Sequence, residues 1–337
     1  MKSLWAPLTV WLATAAFAAF VAPDALRTPV AAQGNAASDL RILHVQGSVH
    51  LIAGAGANVV VQVGPLGPVV VDPGPARMAK QVLAAIRSLS PRPVRYVINT
   101  HLHDDHTGAN DIIAAAGSPV GQGRGSAVIG AGLQATRAEI IANEQVLQRM
   151  GNPPAPAKPV ATILWPTTTY SNPQKEFFTN GEGIQMVHQP AAHTDGDSLV
   201  FFRRSDVIAA GDVYSTVGYP RIDLAAGGSI NGVVDGLNQL LALAIAGEKT
   251  EGGTMIVPGH GRISDEADVV EYRDMVTIIR DRVQDLIQKN RSLEQVKAAR
   301  PTLDFDAQYG NAPGWTTEQF VEAVYRSLRP AAAAASR

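Results

Sequence analysis

Asn99-Thr100-His101-Leu102-His103-Asp104-Asp105-His106-Thr107-Gly108 packs three histidines and an acidic pair into one turn-like segment. Three imidazoles within six positions serve no packing purpose, because a polar ring is costly to bury without a partner. Imidazole and carboxylate together are what a divalent cation recruits, so the segment reads as a metal site. His101 and His103 are two residues apart and can chelate one ion, whereas Asp105 and His106 point to the other side of the loop. So many ligands suit two metals about 3.5–4 Å apart with a carboxylate bridging them.

Outward from this segment the chain alternates strands and helices. Val94-Arg95-Tyr96-Val97-Ile98 is a strand that delivers the histidines at its C-terminal end, where a rigid sheet can present several polar groups together. Residues 76–89 carry Met78, Val82, Leu83, Ile86 and Leu89 at helical spacing, and Pro91 and Pro93 close that helix. Before it, residues 57–63 and Pro68-Val69-Val70-Val71-Asp72 are β-branched runs broken by Gly and Pro, and residues 40–50 alternate weakly. After the segment, residues 110–116 read as a short helix, 127–130 as a strand, and 139–150 as an amphipathic helix ended by Pro153-Pro154-Ala155-Pro156. A hairpin is expected over 177–188 around Asn180-Gly181. Strands at 198–202 and 206–210 adjoin His193 and Asp212, and Met255-Ile256-Val257 delivers His260. Helices are expected over 265–289 and 316–328, and no linker isolates a separate domain.

His-x-His-x-Asp-His at 101–106, the later His193-Thr194-Asp195-Gly196-Asp197, Gly211-Asp212 after a strand, and Pro258-Gly259-His260-Gly261 form an ordered set. In that set, over roughly residues 41–262, the chain resembles the metallo-β-lactamase superfamily. The resemblance implies an α/β (α+β) fold, a four-layer αββα sandwich with the site along one edge and a C-terminal helical extension. It also implies a division of ligands: His101, His103 and His193 for a first zinc, Asp105, His106 and His260 for a second, and Asp212 between them. Asp104 falls outside that pattern. His44, His50 and His188 read as structural, Asp195 and Asp197 as turn or supporting residues, and Thr100 and Thr194 as groups that orient ligands.

The reaction implied is hydrolysis of an ester, lactone, thioester or amide carbonyl by a hydroxide that two Zn2+ ions generate, with Asp105 as the catalytic carboxylate. Iron or manganese remain alternative metals. Asp at position 212, where many true β-lactamases of this fold carry Cys or a neutral residue, resembles the glyoxalase II-like and lactonase-like branches. The Lys usual a few residues later in β-lactamases is replaced by Val213-Tyr214-Ser215-Thr216. A β-lactamase, a phosphodiesterase or sulfatase, a mononuclear-iron dioxygenase and a binding protein with a dead site stay open as alternatives. Tyr219, Arg221 and Asn231 are candidates for holding a small-molecule substrate's carbonyl or carboxylate. Gly-containing loops at 54–56, 117–125, 165–173 and 214–232 are placed to flank the metals.

Composition bounds the rest. There is no cysteine, which removes disulfides, thiolate nucleophiles and thiolate ligands together. A formal net charge of −2 with scattered Lys and Arg offers no basic field, so nucleic acid is not an expected partner. Lys2, an apolar run over 4–22 and a small-x-small pattern at Val30 and Ala32 predict a signal peptide over 1–32 and an exported, periplasmic or secreted protein. An uncleaved N-terminal anchor is the alternative, and no second apolar run approaches spanning length. Residues 40–262 are then the metallo-β-lactamase-like domain, with helices over 263–330 packed on it to cover the site or to form an oligomer contact. Residues 331–335 read as a frayed tail.

Overall fold

A computed structural model of the chain describes residues 40–119, 136–247, 249 and 252–329. The expected signal peptide, the strand at 127–130 and the tail lie outside those residues, as does much of the 117–125 loop.

Two sheets face one another. In the first, β1 (Arg41–Gln46), β2 (Val49–Ala53), β3 (Val59–Gln62) and β4 (Val69–Val71) run antiparallel. β5 (Tyr96–Ile98), β6 (Glu139–Asn143) and β7 (Thr168–Tyr170) extend it in parallel. The second contains β8 (Gln174–Thr179), β9 (Glu182–Gln189), β10 (Asp197–Phe202), β11 (Val207–Ser215) and β12 (Met255–His260), with only β11 and β12 parallel. Asn180 and Gly181 join β8 to β9 with φ of 56° and 74°, the left-handed pair that a two-residue hairpin turn needs.

Alternation along the strands assigns every layer. Val60, Val69, Val71, Ile98 and Ile141 point between the sheets, where they meet Met186, Val200, Phe202, Ala209 and Val257. Their neighbours Val59, Val61, Val70, Val97 and Ile140 point outward, against Val82 and Ile86 of α1 (Ala79–Leu89) and Ile113 of α3 (Asn110–Ala115). Burial on both faces is why the runs are continuously β-branched rather than alternating with polar residues. Across the second sheet, Leu199, Ile208 and Ile256 pack on α5 (Ile230–Leu243), α6 (Glu266–Gln288) and α9 (Thr317–Leu328), the short α7 (Leu293–Ala298) and α8 (Asp306–Tyr309) lying between the last two in sequence. The result is the αββα sandwich with C-terminal helices. Those helices share their apolar cluster with the second sheet. Among the described residues no helix is long and apolar enough to cross a membrane.

One expected element is corrected. The helix expected over 139–150 is a strand followed by a helix, β6 and then α4 (Glu144–Gly151). Ile140, Ile141, Val146 and Met150 mimic a helical stripe, but Ile140 and Ile141 face opposite sides of the first sheet. Asn143 separates the two elements by accepting the Gln145 amide as N-cap, 2.9 Å away. Tertiary pairing on both sides of β6 overrides the local period. The 165–173 loop likewise contains β7, whose Tyr170 hydroxyl lies 2.6 Å from Ser198 Oγ.

Candidate metal centre

The C-terminal ends of β4, β5, β11 and β12 and the β9–β10 turn open onto the same edge of the sandwich. After β5 the chain passes through His101 and His103 into the single-turn α2 (Asp104–Thr107), which carries Asp105 and His106. Gly211 lets β11 deliver Asp212: its φ is 51°, the register to β12 slips there, and a Cβ would stand 2.8 Å from Thr100 Cβ. Such a bulge re-aims a side chain out of the regular pleat. Gly259 is required for space, because a Cβ there would overlap Asp212 Oδ1. Gly261 sits at φ 106°, and Asn58 Nδ2 donates to the carbonyls of Pro258 and Gly261, fixing the turn around His260.

The seven expected ligands come together in two groups. Ligand atoms of His101, His103 and His193 lie within 4.8 Å of one another, and so do those of Asp105, His106 and His260. Asp212 stands between them, with Oδ2 3.6 Å from His193 Nε2 and Oδ1 3.3 and 3.5 Å from Nε2 of His106 and His260. Asp72, His101 and His106 form a third geometric group. Asp72 is better read as support, because its oxygens already accept from Thr100 N (2.8 Å), Thr100 Oγ1 (2.6 Å) and His106 Nδ1 (2.8 Å).

Hydrogen bonds on the outer side of each ring fix which nitrogen keeps its lone pair. His193 Nδ1 and His260 Nδ1 face the carbonyls of Arg221 (2.9 Å) and Gly56 (3.2 Å), which only accept. His106 Nδ1 and His103 Nε2 face the carboxylates of Asp72 and Asp223, the latter at 3.0 Å. Thr100 Oγ1 spends its proton on Asp72, so it accepts from His101 Nδ1 at 3.0 Å. Five inward lone pairs follow, and two of them, on His103 Nδ1 and His193 Nε2, face each other at 2.9 Å. His101 Nε2, His106 Nε2 and Asp212 Oδ1 are buried without a hydrogen-bond partner. Opposed lone pairs and orphaned acceptors of this kind call for a cation, and the all-nitrogen-and-oxygen donor set fits zinc or another divalent metal.

The titration of these groups follows the same logic. Burial pushes the His101 imidazole well below the usual histidine range, and His193 down to about 4. His106 is also pressed down by burial, but the Asp212 and Asp72 carboxylates outweigh it and hold the ring well above its ordinary value. Asp105 is pushed up by burial and, more strongly, down by the His260 hydrogen bond and nearby imidazole, to about 2. These carboxylates favour a proton on His106 in the metal-free chain, with which a metal at Nε2 must compete. Calorimetric titration with Zn2+ in buffers of different ionisation enthalpy is expected to show release of about one proton or more per chain at pH 7. Zero release would contradict a cation at His106. Affinity is expected to rise with pH, since deprotonation favours the ligand form.

The substrate candidates separate. Tyr219 is corrected: it is buried, stacked 4.7 Å from Phe320, and its one hydroxyl proton is shared between Asp306 Oδ1 (2.9 Å) and Thr302 O (3.2 Å), so it is spent on the core. Asn231 lies exposed in the first turn of α5 and does not line the cavity beside the histidines. Arg221 does line that cavity, together with His103 and His193. His44 bonds Gly47 O and His188 bonds Asp195 O, both as backbone anchors. Arg149 clamps Asp195, and Asp197 accepts from Thr194 N and Oγ1, bracing the His193 turn. Sequence reasoning missed Asp72 and Asp223 as outer partners. Asp72 carried a faint signal, an acid at the end of a β-branched run like Asp212; Asp223 carried none.

Two facing mixed sheets with helices outside and His/Asp groups able to hold metal ions at their shared edge define the αββα metal-site class. The chain belongs to the metallo-beta-lactamase superfamily, whose sequence model matches residues 52–299. Among solved structures it is similar to a metallo-beta-lactamase from Pontibacter korlensis, at 14% identity and TM-score 0.52, over 71% of this chain and 99% of that one. DIM-1 metallo-beta-lactamase aligns at 16% identity and TM-score 0.51, over 71% and 97%. The sec-alkylsulfatase Pisa1 from Pseudomonas sp. aligns at 15% identity and TM-score 0.65, over 85% of this chain and 50% of that one. At these identities the likeness is one of fold. No curated protein matches the sequence.

Proposed function

We propose that the protein is an exported, binuclear zinc hydrolase acting on an ester, lactone, thioester or amide carbonyl. The observation that carries this reading is the grouping of five imidazoles in two clusters around Asp212, three of them within 3.6 Å of its carboxylate, with Asp105 at the mouth of the group. When bound, two zinc ions would supply a hydroxide at neutral pH and polarise the scissile carbonyl. His101, His103 and His193 would hold one ion, Asp105, His106 and His260 the other, with Asp212 shared.

The chain's own groups do the remaining work. Asp105, 41% exposed and with Oδ2 3.2 Å from His260 Nε2, is ionised at neutral pH and accepts a hydrogen bond from an incoming water, orienting it. Asp72, Asp223, Thr100 and the Arg221 carbonyl lock the ring orientations before substrate arrives. No thiolate is available as nucleophile, since the chain has no cysteine. A second reading, sulfate-ester hydrolysis, draws support from the broader likeness to the Pseudomonas alkylsulfatase, 85% of this chain against 71% for the β-lactamases. Export rests on residues 1–32 and is tested by the N-terminal sequence of the mature protein.

A panel of β-lactams, lactones, thioesters, aryl esters, phosphodiesters and sulfate esters on the zinc-loaded protein distinguishes the readings. The expected result is a preference for one acyl class by two or more orders of magnitude, about 2.7 kcal/mol of transition-state discrimination, lost on chelation. Activity confined to sulfate or phosphate esters would replace the acyl reading. Full activity after exhaustive chelation would remove the metal from it.

A further inference from the structure

A cavity of about 590 Å³ opens beside His103 and His193, between the loop at residues 221–224 and the segment formed by Trp315 and α9. That wall lies beyond residue 299, where the superfamily match ends. The same C-terminal stretch fastens the loop: Trp315 Nε1 donates to Pro220 O (3.2 Å), Arg221 Nη2 to Pro313 O (3.1 Å), and Tyr219 N to Tyr309 O (3.3 Å). The loop in turn holds two candidate ligands, through Asp223 on His103 and the Arg221 carbonyl on His193. So the part of the chain outside the superfamily match both shapes the cavity and sets the edge of the site it opens onto.

Its charges are unequal in what they have left to offer. The Arg326 guanidinium is paired with Glu322 at 2.7 Å, and Asp223 is engaged by His103. Arg221 donates one N–H to Pro313 O and has no carboxylate partner among the described residues. A planar guanidinium with four remaining donors is a fork for a carboxylate or similar oxyanion. The cavity wall also offers apolar surface, from Ile222, Leu224, Trp315 and Ala323, beside the polar Gln319 and the paired Glu322. Arg221 and His193 line the same cavity, and the Arg221 carbonyl meets His193 Nδ1 at 2.9 Å, so the guanidinium and the metal group open onto one chamber that an aliphatic stem can occupy.

We propose that this cavity is the acyl subsite, and that it selects acyl groups whose aliphatic stem ends in a carboxylate held by Arg221, with Trp315 and Leu224 covering the stem. The inference rests on the hydrolase reading and deepens it by naming the substrate class. The para-nitrophenyl ester of hexanoate and the mono-para-nitrophenyl ester of adipate share a reactive bond and differ in a terminal methyl against a terminal carboxylate.

The zinc-loaded chain is expected to favour the adipate ester in kcat/KM by about tenfold or more, mainly through KM, as a charge-assisted fork would give. Arg221→Gln is expected to collapse the ratio of the two values to about one, and Arg221→Lys to restore part of it. A ratio that survives Arg221→Gln overturns the proposal. Binding is read separately in the metal-free chain, so that no carboxylate–metal contact contributes. There adipamate, and not hexanamide, is expected to change the tryptophan fluorescence, with the change absent in Trp315→Phe and in Arg221→Gln. Adipamate binding without hydrolysis of either ester overturns the hydrolase reading and leaves the subsite standing. Hydrolysis of both esters with no selectivity in rate or binding overturns the subsite alone.

Discussion

Replacing Asp212 by Asn is expected to lower kcat/KM by about 10³-fold or more, at least about 4 kcal/mol of transition-state stabilisation, while the fold persists. Among the described residues Asp212 is the one carboxylate within 3.6 Å of imidazoles from both groups, and its Oδ1 is buried without a hydrogen-bond partner. Its carboxyl is pushed up by burial but held well below the ordinary range by His106 and the other surrounding imidazoles, so it is a full negative charge at neutral pH. Asn keeps the shape and removes that charge. Metal content should fall in parallel, measured by elemental analysis after dialysis, with the circular dichroism spectrum unchanged. Hydrolysis within tenfold of the parent chain, at full metal content, would place the bridge elsewhere.

Replacing Asp72 by Ala is expected to cost stability as well as activity. It breaks a fully buried pair with His106 and strands the Thr100 amide and hydroxyl, a class of change that typically costs about 3–5 kcal/mol. A chemical-denaturation midpoint measures that loss. Metal affinity should drop by roughly 10–100-fold as well, the usual effect of removing the outer partner of a ligand. Asp72→Asn separates the two effects. Asn tolerates the positive φ of 53° at this position and still accepts from Thr100. It presents an NH2 to His106 Nδ1, however, which favours the wrong tautomer. A stable Asp72→Asn chain with weakened metal binding is the expected outcome, and one with unchanged metal affinity would show that His106 does not bind metal through Nε2.

The sequence made the chemistry of the site readable because its ligands are of a rare type and sit at the ends of β-branched runs. His101, His103 and His106 announced themselves by spacing, and His193, Asp212 and His260 by glycine-flanked turns that now have steric reasons in Gly211, Gly259 and Gly261. Asp72 and Asp223 were hidden because their roles depend on sequence-distant partners, 34 and 120 residues away, which no local pattern encodes. The misread stretch at 139–150 failed for a related reason: Ile140 and Ile141 serve two layers at once, and only strand pairing reveals it. Tyr219 looked like a loop residue near the site, and its hydroxyl turned out to belong to a contact with the chain's last helices. The layer architecture was legible in outline, since doubly buried strands must be covered on both faces.

The candidate ligands are drawn from both sheets, three of the histidines following β5 in the first, with His193 in the β9–β10 turn, Asp212 within β11 and His260 at the end of β12 in the second. A cation held among them is therefore a cross-link between the two halves of the sandwich, closing chain loops of the order of a hundred residues much as a disulfide would in a chain that has none. The affinity of the site for its ion is then also a term in the cohesion of the protein, and prising the sheets apart requires letting the ion go. The centre proposed to do the chemistry would then also serve as the clasp between the sheets.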